Sequence, residues 1–423
     1  MKSFKDRLPT KLDSLFHILA EIAKAQGIEA YLVGGFVRDS ILEKENEDID
    51  VVVSNSGDTF SRAVARKLKS KVDKRSQFGT YAIALAEGIQ LDIATARSES
   101  YASPSALPDV APGDLKDDLF RRDFTINSLA LSLNASSAFT LIDLCGGFED
   151  LGNGIIRAHH ENSFIDDPCR IFRALRYQTR FKFRLDAKTQ DWLNHSIALK
   201  IPDLLSGHRL WNEIQRTLQE NDFYENFRIL HEYSLWPLLN PKIEHLSQKS
   251  DFLKNIAHQL AWVQERDSGV RIEQWLVHCL ALVTPLREEE IEALAQKCQW
   301  SNALKDKILT GHRAIETALP ELMNACEKNS HEIFELFHPL SPEARVVALA
   351  LSNTPEARHA SELYLKKIRQ AGCIELNGDD LIRLGISPGP LFKDIFSALR
   401  KARLDEKISS RAEEEFFVKK NFI

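Results

Sequence analysis

No apolar stretch in this chain approaches the roughly twenty residues that a membrane span needs. The polar opening MKSFKDRLPTKLD does not read as a signal peptide. Cysteine is sparse: six residues (Cys145, Cys169, Cys279, Cys298, Cys326, Cys373) are scattered with no CxxC spacing. That excludes a zinc ribbon or a thioredoxin-type redox site, and leaves reduced thiols in a cytoplasmic protein as the expectation. No His-Asp dipeptide occurs, so the chain lacks the mark of a metal-dependent phosphohydrolase. An excess of basic residues is also missing, with 55 Lys and Arg against 61 Asp and Glu and a formal charge of −6. A protein coated in positive charge is excluded, whereas a local basic face able to meet nucleic acid is not.

What is present is an ordinary globular composition over 423 residues, too long for one compact domain. The most informative stretch is Tyr31–Val53, YLVGGFVRDSILEKENEDIDVVV. Tyr31, Leu32 and Val33 read as a short buried strand broken by Gly34-Gly35. Phe36 to Leu42 has helical apolar spacing, and Ile49–Val53 reads as a second strand with Asp48 and Asp50 at its start. Side chains two apart on a strand share a face, so Asp48 and Asp50 point the same way. Two carboxylates on one face suit Mg²⁺, which takes oxygen ligands shared with substrate phosphates. Gly34-Gly35 precedes a helix start, where free N–H groups and the helix dipole favour a phosphate, and Arg38 lies one turn on. Singly, Gly-Gly is an ordinary turn and Asp-x-Asp a solvated strand end. Together, fifteen residues apart from Gly35 to Asp50, they point to phosphoryl or nucleotidyl chemistry.

Around this stretch the pattern predicts a helix over Pro9–Gln26 and another over Ser56–Lys69. Two strands follow, Thr80–Leu85 and Ile89–Thr95. Asp92 on the second strand is either a third carboxylate beside Asp48 and Asp50 or an edge-strand charge. Arg97–Leu119 is rich in Ser, Pro and Asp with no convincing period, and reads as a long loop of the functional or mobile kind. It leads into RRDFTIN (Arg121–Asn127), read as a helix start, whose adjacent arginines suit a triphosphate or an RNA backbone as readily as solvent. Phe139–Leu144 and Ile155–Ala158 read as strands, with Gly146-Gly147 a turn between them.

From Ser163 the texture becomes helical almost without interruption. Asp167 reads as an N-cap with Pro168 at the first helical position. Arg170, Arg173 and Arg176 recur every third residue among apolar Ile171, Phe172, Ala174 and Leu175, so one side packs and another presents guanidinium groups. A base-selecting role is also open to Asp167 and Arg170. Cytosine and adenine both show an amino donor beside a ring-nitrogen acceptor, and guanine and uracil show the inverse. A carboxylate taking the amine and an arginine giving to the ring nitrogen would accept C and A alone. A further helix is expected from Ser206. Near the end, Lys393, Arg400, Lys401 and Arg403 form a modest basic patch that reads most simply as a solvated helix face.

Five segments, in order, resemble the motifs of the class II tRNA nucleotidyltransferase and bacterial poly(A) polymerase family. They are LVGGFVRDSIL…DID (Leu32–Asp50), RRDFTIN (Arg121–Asn127), DLCGGFEDLGNGIIRA (Asp143–Ala158), DDPCRIFRALRY (Asp166–Tyr177) and SGHRLWNEI (Ser206–Ile214). Beyond about residue 225 the likeness is only to a helical body and tail. The resemblance implies an α+β chain: an N-terminal mixed-sheet head of the DNA polymerase beta type, then an elongated all-helical neck, body and tail. The expected boundaries are 1–162 for the head, 163–225 for a neck holding the nucleotide-selecting pocket, and 226–423 for a body and tail that bind tRNA. The implied activity is template-independent addition of C and/or A to the tRNA 3′ end, with CTP, ATP and the tRNA acceptor arm as partners and Mg²⁺ as cofactor. Asp48 and Asp50 would hold metal, with Asp92 beside them in the catalytic set. Gly34, Gly35, Arg38, Arg122, Asp123 and Asn127 would bind the nucleotide. Asp167 with Arg170 would select the base, and Arg173 and Arg176 would complete the pocket. Asp166 stands where the family usually has Glu. The implied mechanism is a two-metal in-line attack of the RNA 3′-hydroxyl on the α-phosphorus.

Several activities stay open at this point: full CCA addition, CC-only or A-only addition, and poly(A) tailing. The stretch from Asp92 to Asn127 looks most like the subgroup that divides CC and A addition between two enzymes. The ending AEEEFFVKKNFI lacks the long basic extension expected of a poly(A) polymerase. A small-molecule nucleotidyltransferase and a catalytically silent RNA-binding protein are the readings from other classes. The helical body counts against the first, and the presence of the expected carboxylates and arginines against the second. Oligomeric state is not legible in the sequence.

Overall fold

The computed structural model of the protein describes residues 4–72, 74–75, 79–134, 138–267, 269–322 and 328–423. The chain divides into two compact units, Met1–Ser206 and Gly207–Ile423. This boundary falls inside the stretch expected as a neck, 163–225.

The strands of the first unit are β1 (Ala30–Val33), β2 (Asp48–Val53), β3 (Lys74–Arg75), β4 (Thr80–Ala84), β5 (Gln90–Thr95) and β6 (Arg97–Ser100). They continue with β7 (Asp109–Pro112), β8 (Leu129–Ser132), β9 (Leu141–Asp143), β10 (Ile155–Ile156) and β11 (Arg184–Leu185). A mixed seven-stranded sheet runs in the order β3-β4-β5-β2-β1-β8-β9. β1 pairs antiparallel with both β2 and β8, while β2 and β5 run parallel. All four residues of β1 are buried, as its unbroken apolar run predicts for a central strand. The helices of this unit are α1 (Asp13–Gln26), α2 (Gly34–Ile41), α3 (Gly57–Lys67), α4 (Leu115–Phe120), α5 (Gly147–Asn153), α6 (Ser163–Asp166), α7 (Cys169–Phe181) and α8 (Ala187–Ala198). α1 packs Leu15, Phe16 and Leu19 inward and ends at Gly27, whose φ of 66° supplies the left-handed stop.

Two expectations are corrected by these elements. Arg97–Leu119 is not a structureless loop: β6 and β7 form an antiparallel hairpin, and α4 follows it. All four residues of β7 are exposed, so the hairpin carries no apolar alternation that a sequence pattern could reveal. α4 starts from a capping box in which Asp114 accepts the Asp117 N–H and Asp117 accepts the Asp114 N–H. RRDFTIN likewise is not a helix start. It runs from the end of α4 into a single 3₁₀ turn, Thr125–Asn127, because Asp123 and Phe124 are held by side-chain and bridge contacts instead of a helical ladder.

The second unit is helical: α9 (Gly207–Leu218), α10 (Phe223–Glu232), α11 (Ser250–Arg266), α12 (Gln274–Val283), α13 (Glu288–Lys297), α14 (Asn302–Leu322), α15 (Ser330–Phe337) and α16 (Pro342–Ser352). After α17 (Pro355–Leu363) a π-helical turn leads into α18 (Arg369–Ala371), then α19 (Gly378–Arg383), α20 (Leu391–Leu404) and α21 (Arg411–Phe422). The last three share an apolar cluster that includes Leu381, Ile395, Leu399 and Val418. Among the described residues no helix is long and apolar enough to cross a membrane. Cys145, Cys169, Cys279, Cys298 and Cys373 are free thiols, and Cys326 lies outside the described residues.

Candidate active site

The corner between β1 and α2 brings the first set of expected residues together. Gly34 sits there with φ of 69°, a left-handed conformation that favours glycine. A Cβ at Gly34 would lie 2.7 Å from Arg122 Nη1 and 3.0 Å from Asp50 Oδ2. A guanidinium from just past α4 and a carboxylate from β2 therefore meet over the first glycine. Gly35 opens the following turn, with Arg38 Nη2 at 3.5 Å from its Cβ position. The N–H groups of this first turn have no side-chain cap.

Strand register settles where the carboxylates stand. Val33 is opposite Asp50, and Asp50 is opposite Asp92 on the parallel strand β5. Asp48, two residues before Asp50, shares its face and is exposed. Burial, with the Asp92, Asp48 and Asp118 carboxylates, pushes Asp50 up to about 6 against the pull of Arg122. Asp92 accepts the Gln90 side-chain amide at 3.2 Å. Among the described residues no three His, Cys, Asp or Glu side chains form a ready-made metal cage. The donor set fits a hard cation that completes its shell with phosphate oxygens, because crowded oxygen-only carboxylates are what such an ion neutralises.

Arg122 is held from behind. Asp118, on α4, is fully buried and accepts Arg121 Nη2 at 2.6 Å through Oδ1 and Arg122 Nη2 at 2.9 Å through Oδ2. Arg121 also reaches Glu99 Oε1 at 3.1 Å, on the hairpin strand β6. Burial opposes the charge on Asp118, and the two guanidinium groups overcome it and keep its carboxyl below the usual range.

Arg38 turns inward. It forms a two-pronged pair with Asp39 at 2.8 Å for both contacts, gives Nη1 to Asn127 Oδ1 at 2.5 Å, and lies 4.7 Å from the Phe181 ring centroid. Asn127 in turn donates to Asp123 Oδ1 at 2.8 Å, and Arg173 Nε meets Asp123 Oδ2 at 2.7 Å. A continuous polar chain thus runs from α2 to α7. Burial alone would raise the Asp123 carboxyl, but Arg173 and the Asn127 amide hold it at about 2.

α7 differs from the expected division into a packed side and a guanidinium side. Ile171, Phe172, Ala174 and Leu175 are wholly buried, and Arg170 and Arg176 are buried too. Only Arg173 of the three keeps substantial exposure, at 28% of its side chain. Arg170 gives Nη1 to Ser163 Oγ at 2.8 Å and Nη2 to the Arg121 carbonyl at 2.9 Å, so its orientation is fixed. Arg176 stands over the Tyr177 ring at 5.7 Å. Asp167 accepts the Cys169 N–H at 3.0 Å, the capping contact expected of it, although the regular helix begins at Cys169. Burial, together with Glu99 and Asp167, pushes the nearby Tyr101 hydroxyl up to about 12 against Arg170.

Other motifs prove to be architectural. Gly147 lies so close to the Thr125 carbonyl that any Cβ would overlap it at 2.1 Å. In the C-terminal patch Arg400 pairs with Glu335 at 2.9 Å and Arg403 with Glu375 and Glu414, while Lys393 and Lys401 are exposed. Sequence reasoning missed Asp39, Glu99, Asp118 and Tyr177. The spacing of Asp118, three and four residues before the arginines, was the one available signal. Glu99 reaches Arg121 across 22 residues, and no local pattern marks it.

Comparison with known proteins adds the relatives. Residues 30–157 match the model of the Poly A polymerase head domain. The chain is 32% identical to an A-adding tRNA nucleotidyltransferase of Geobacter sulfurreducens over 96% of its own length but only 47% of that protein's. It therefore spans about half the length of that relative. It is also 32% identical to an A-adding tRNA nucleotidyltransferase of Halalkalibacterium halodurans, covering 89% of this chain and 84% of that one. Among solved structures, the Thermotoga maritima CCA-adding enzyme complexed with tRNA superposes with a TM-score of 0.74 at 27% identity, over the full length of both chains.

Proposed function

The chain belongs to the class II tRNA nucleotidyltransferase family, and from that premise we propose that it adds C and/or A to the 3′ end of tRNA without a template. The observation that carries the proposal is the meeting of Asp50 and Arg122 at the Gly34 corner, with Asp92 opposite Asp50 on β5. CTP and ATP are the nucleotide substrates, and residues 1–162 serve as the catalytic head. Residues 163–225 supply base selection and 226–423 the tRNA-binding body and tail.

The triphosphate lies against the first turn of α2, whose N–H groups and dipole receive anionic oxygens. Arg122 Nη1, poised beside Gly34, meets the same phosphates. Asp48 and Asp50 would hold Mg²⁺, which would supply activation of the attacking hydroxyl and neutralisation of charge on the leaving pyrophosphate. The 3′-oxygen of the RNA bonds to the α-phosphorus as the bond to the bridging oxygen of pyrophosphate breaks. Asp167 accepts the exocyclic amine of cytosine or adenine, and Arg170 donates to the adjacent ring nitrogen. Ser163 and the Arg121 carbonyl hold the plane of the Arg170 guanidinium. Arg173 and Arg176 close the pocket, and Asp123 with Asn127 completes the nucleotide-binding set. Arg38 keeps Asn127 in place through their direct hydrogen bond.

A-only addition is the second reading, favoured because both 32%-identical relatives carry that name. Incubation with tRNA ending at the discriminator base, at C or at CC, and with each labelled nucleotide, separates the cases. Three additions from the discriminator base establish full CCA synthesis. Incorporation of A onto a CC end alone establishes A-addition. Unbounded A tails would mark a poly(A) polymerase, and no incorporation into any RNA would overturn the proposal.

A further inference from the structure

We propose that Asp118 is the positioning residue that turns Arg122 towards the nucleotide's phosphates. The inference rests on the transferase reading of the site and adds a group that the motif pattern leaves unassigned. Asp118 is fully buried on α4, between the capping box at the helix start and the arginine pair at its end. Its two oxygens divide the work. Oδ1 takes Nε and Nη2 of Arg121, at 2.9 and 2.6 Å. Oδ2 takes Nε and Nη2 of Arg122, at 3.2 and 2.9 Å. Pairing along that edge leaves Arg122 Nη1 facing the other way, and Nη1 is the atom that stands 2.7 Å from the Cβ position of Gly34.

Charge distribution separates the two arginines. Arg121 also reaches Glu99 Oε1 at 3.1 Å, an oxygen it shares with Arg97 Nη2 at 2.8 Å. Arg122 instead meets Asp50 over Gly34, and Asp50 belongs to the crowded acidic set on β2 and β5. Of the two, Arg122 is therefore the one whose free edge stands at the glycine turn. A buried ion cluster of this kind adds little stability by itself, since apolar side chains of equal volume would serve as well. Its geometric use is to fix the plane of a guanidinium whose remaining edge addresses phosphate.

The test uses the full chain, inorganic tripolyphosphate with magnesium as the phosphate probe, and ATP incorporation onto tRNA ending in CC. Asp118→Asn keeps the shape and removes the charge. Its tripolyphosphate Kd and its KM for ATP are both expected to rise about tenfold or more, the order of one charge-assisted contact. Arg122→Gln is expected to match that loss, and the double variant to add little to either, because both act through one interaction. Arg121→Gln is expected to disturb tripolyphosphate binding far less. A folded Asp118→Asn with a lowered melting temperature but unchanged Kd and KM overturns the proposal and leaves Asp118 a structural ion partner. Should Asp118→Asn fail to fold, equal losses of tripolyphosphate affinity in Arg121→Gln and Arg122→Gln overturn it, and loss confined to Arg122→Gln supports it. Unaltered protein that neither binds tripolyphosphate nor extends tRNA would remove the transferase reading itself. When the unaltered protein does both, the variants report on Asp118 alone.

Discussion

At Gly34 two requirements coincide: a φ of 69° and the approach of Arg122 and Asp50 to within 3.0 Å of a Cβ position. Gly34→Ala meets both. The left-handed backbone costs about 1–2 kcal/mol for a residue with a Cβ, and the methyl group displaces Arg122 Nη1. Steady-state incorporation is expected to fall by at least about tenfold, in line with a misplaced phosphate contact. Full turnover in that variant would show that the close approach is dispensable. Asp50→Ala is expected to abolish incorporation while tRNA binding, read by filter retention, stays nearly intact. Appreciable residual turnover would sink the metal-ligand assignment. Asp123 gives a stability prediction. Its folded carboxyl titrates at about 2 against an ordinary value of 3.8, so its contribution is fully present above pH 3.8 and is lost as pH falls through 2. The difference corresponds to roughly 2 kcal/mol. Urea midpoints of the protein and of Asp123→Asn, compared from pH 5 downwards, should converge as the acid limit is approached.

At the scale of elements, α4 is a six-residue helix that carries Asp118 and ends at the arginine pair, and its capping box sets its start. Asp114→Ala removes one half of that box. The expected loss is about 1 kcal/mol, read as a fall of roughly 2–4 °C in the melting of a unit this size. An unchanged melting curve would show that the hairpin alone fixes α4. The second unit offers a pH-sensitive contact. His278 on α12 is buried, stacks on Phe223 of α10 at 4.4 Å, and is 2.7 Å from the Leu218 carbonyl through Nδ1. Burial pushes it down to about 4, against the smaller effect of that hydrogen bond. A depressed folded pKa means that stability is full above 6.5 and declines as pH falls towards 4. The decline amounts to about 3 kcal/mol. In His278→Phe the urea midpoint should lose much of its slope between pH 7 and pH 4.5. An equal slope in both proteins would refute the assignment.

For the whole molecule, a formal charge of −6 means that tRNA can be gripped only where cations gather locally. Affinity is then expected to fall steeply with salt, by about tenfold or more between 50 and 200 mM, as released counterions require. A salt-independent Kd would contradict this. The same scale shows what could be read in advance. β1, α2 and β2 were legible because an apolar run, a glycine pair and an alternating acidic strand are local signals. The fold class came from the resemblance of five motifs in order, and not from these local signals alone. The β6–β7 hairpin was not legible, because β6 is polar and half-buried, β7 is wholly exposed, and neither shows an apolar alternation. Arg170 and Arg176 looked like a presented basic face, yet their guanidinium groups are buried, a placement that helical spacing does not specify.

The residues in order were enough to show that a glycine turn and an Asp-x-Asp strand stand side by side, and that an Asp-Arg pair opens a later helix. Each is a matter of residues within a few positions of one another, where spacing dictates direction. Which charges engage which was settled only by tertiary contacts. Arg38 turned to Asn127, Arg121 to Glu99, and Asp50 came beside Asp92 through the parallel pairing of two strands. Those choices depend on burial and strand register across 22 to 89 residues of chain, and the electrostatic free energy that settles them exists only once the sheet has closed around the groups.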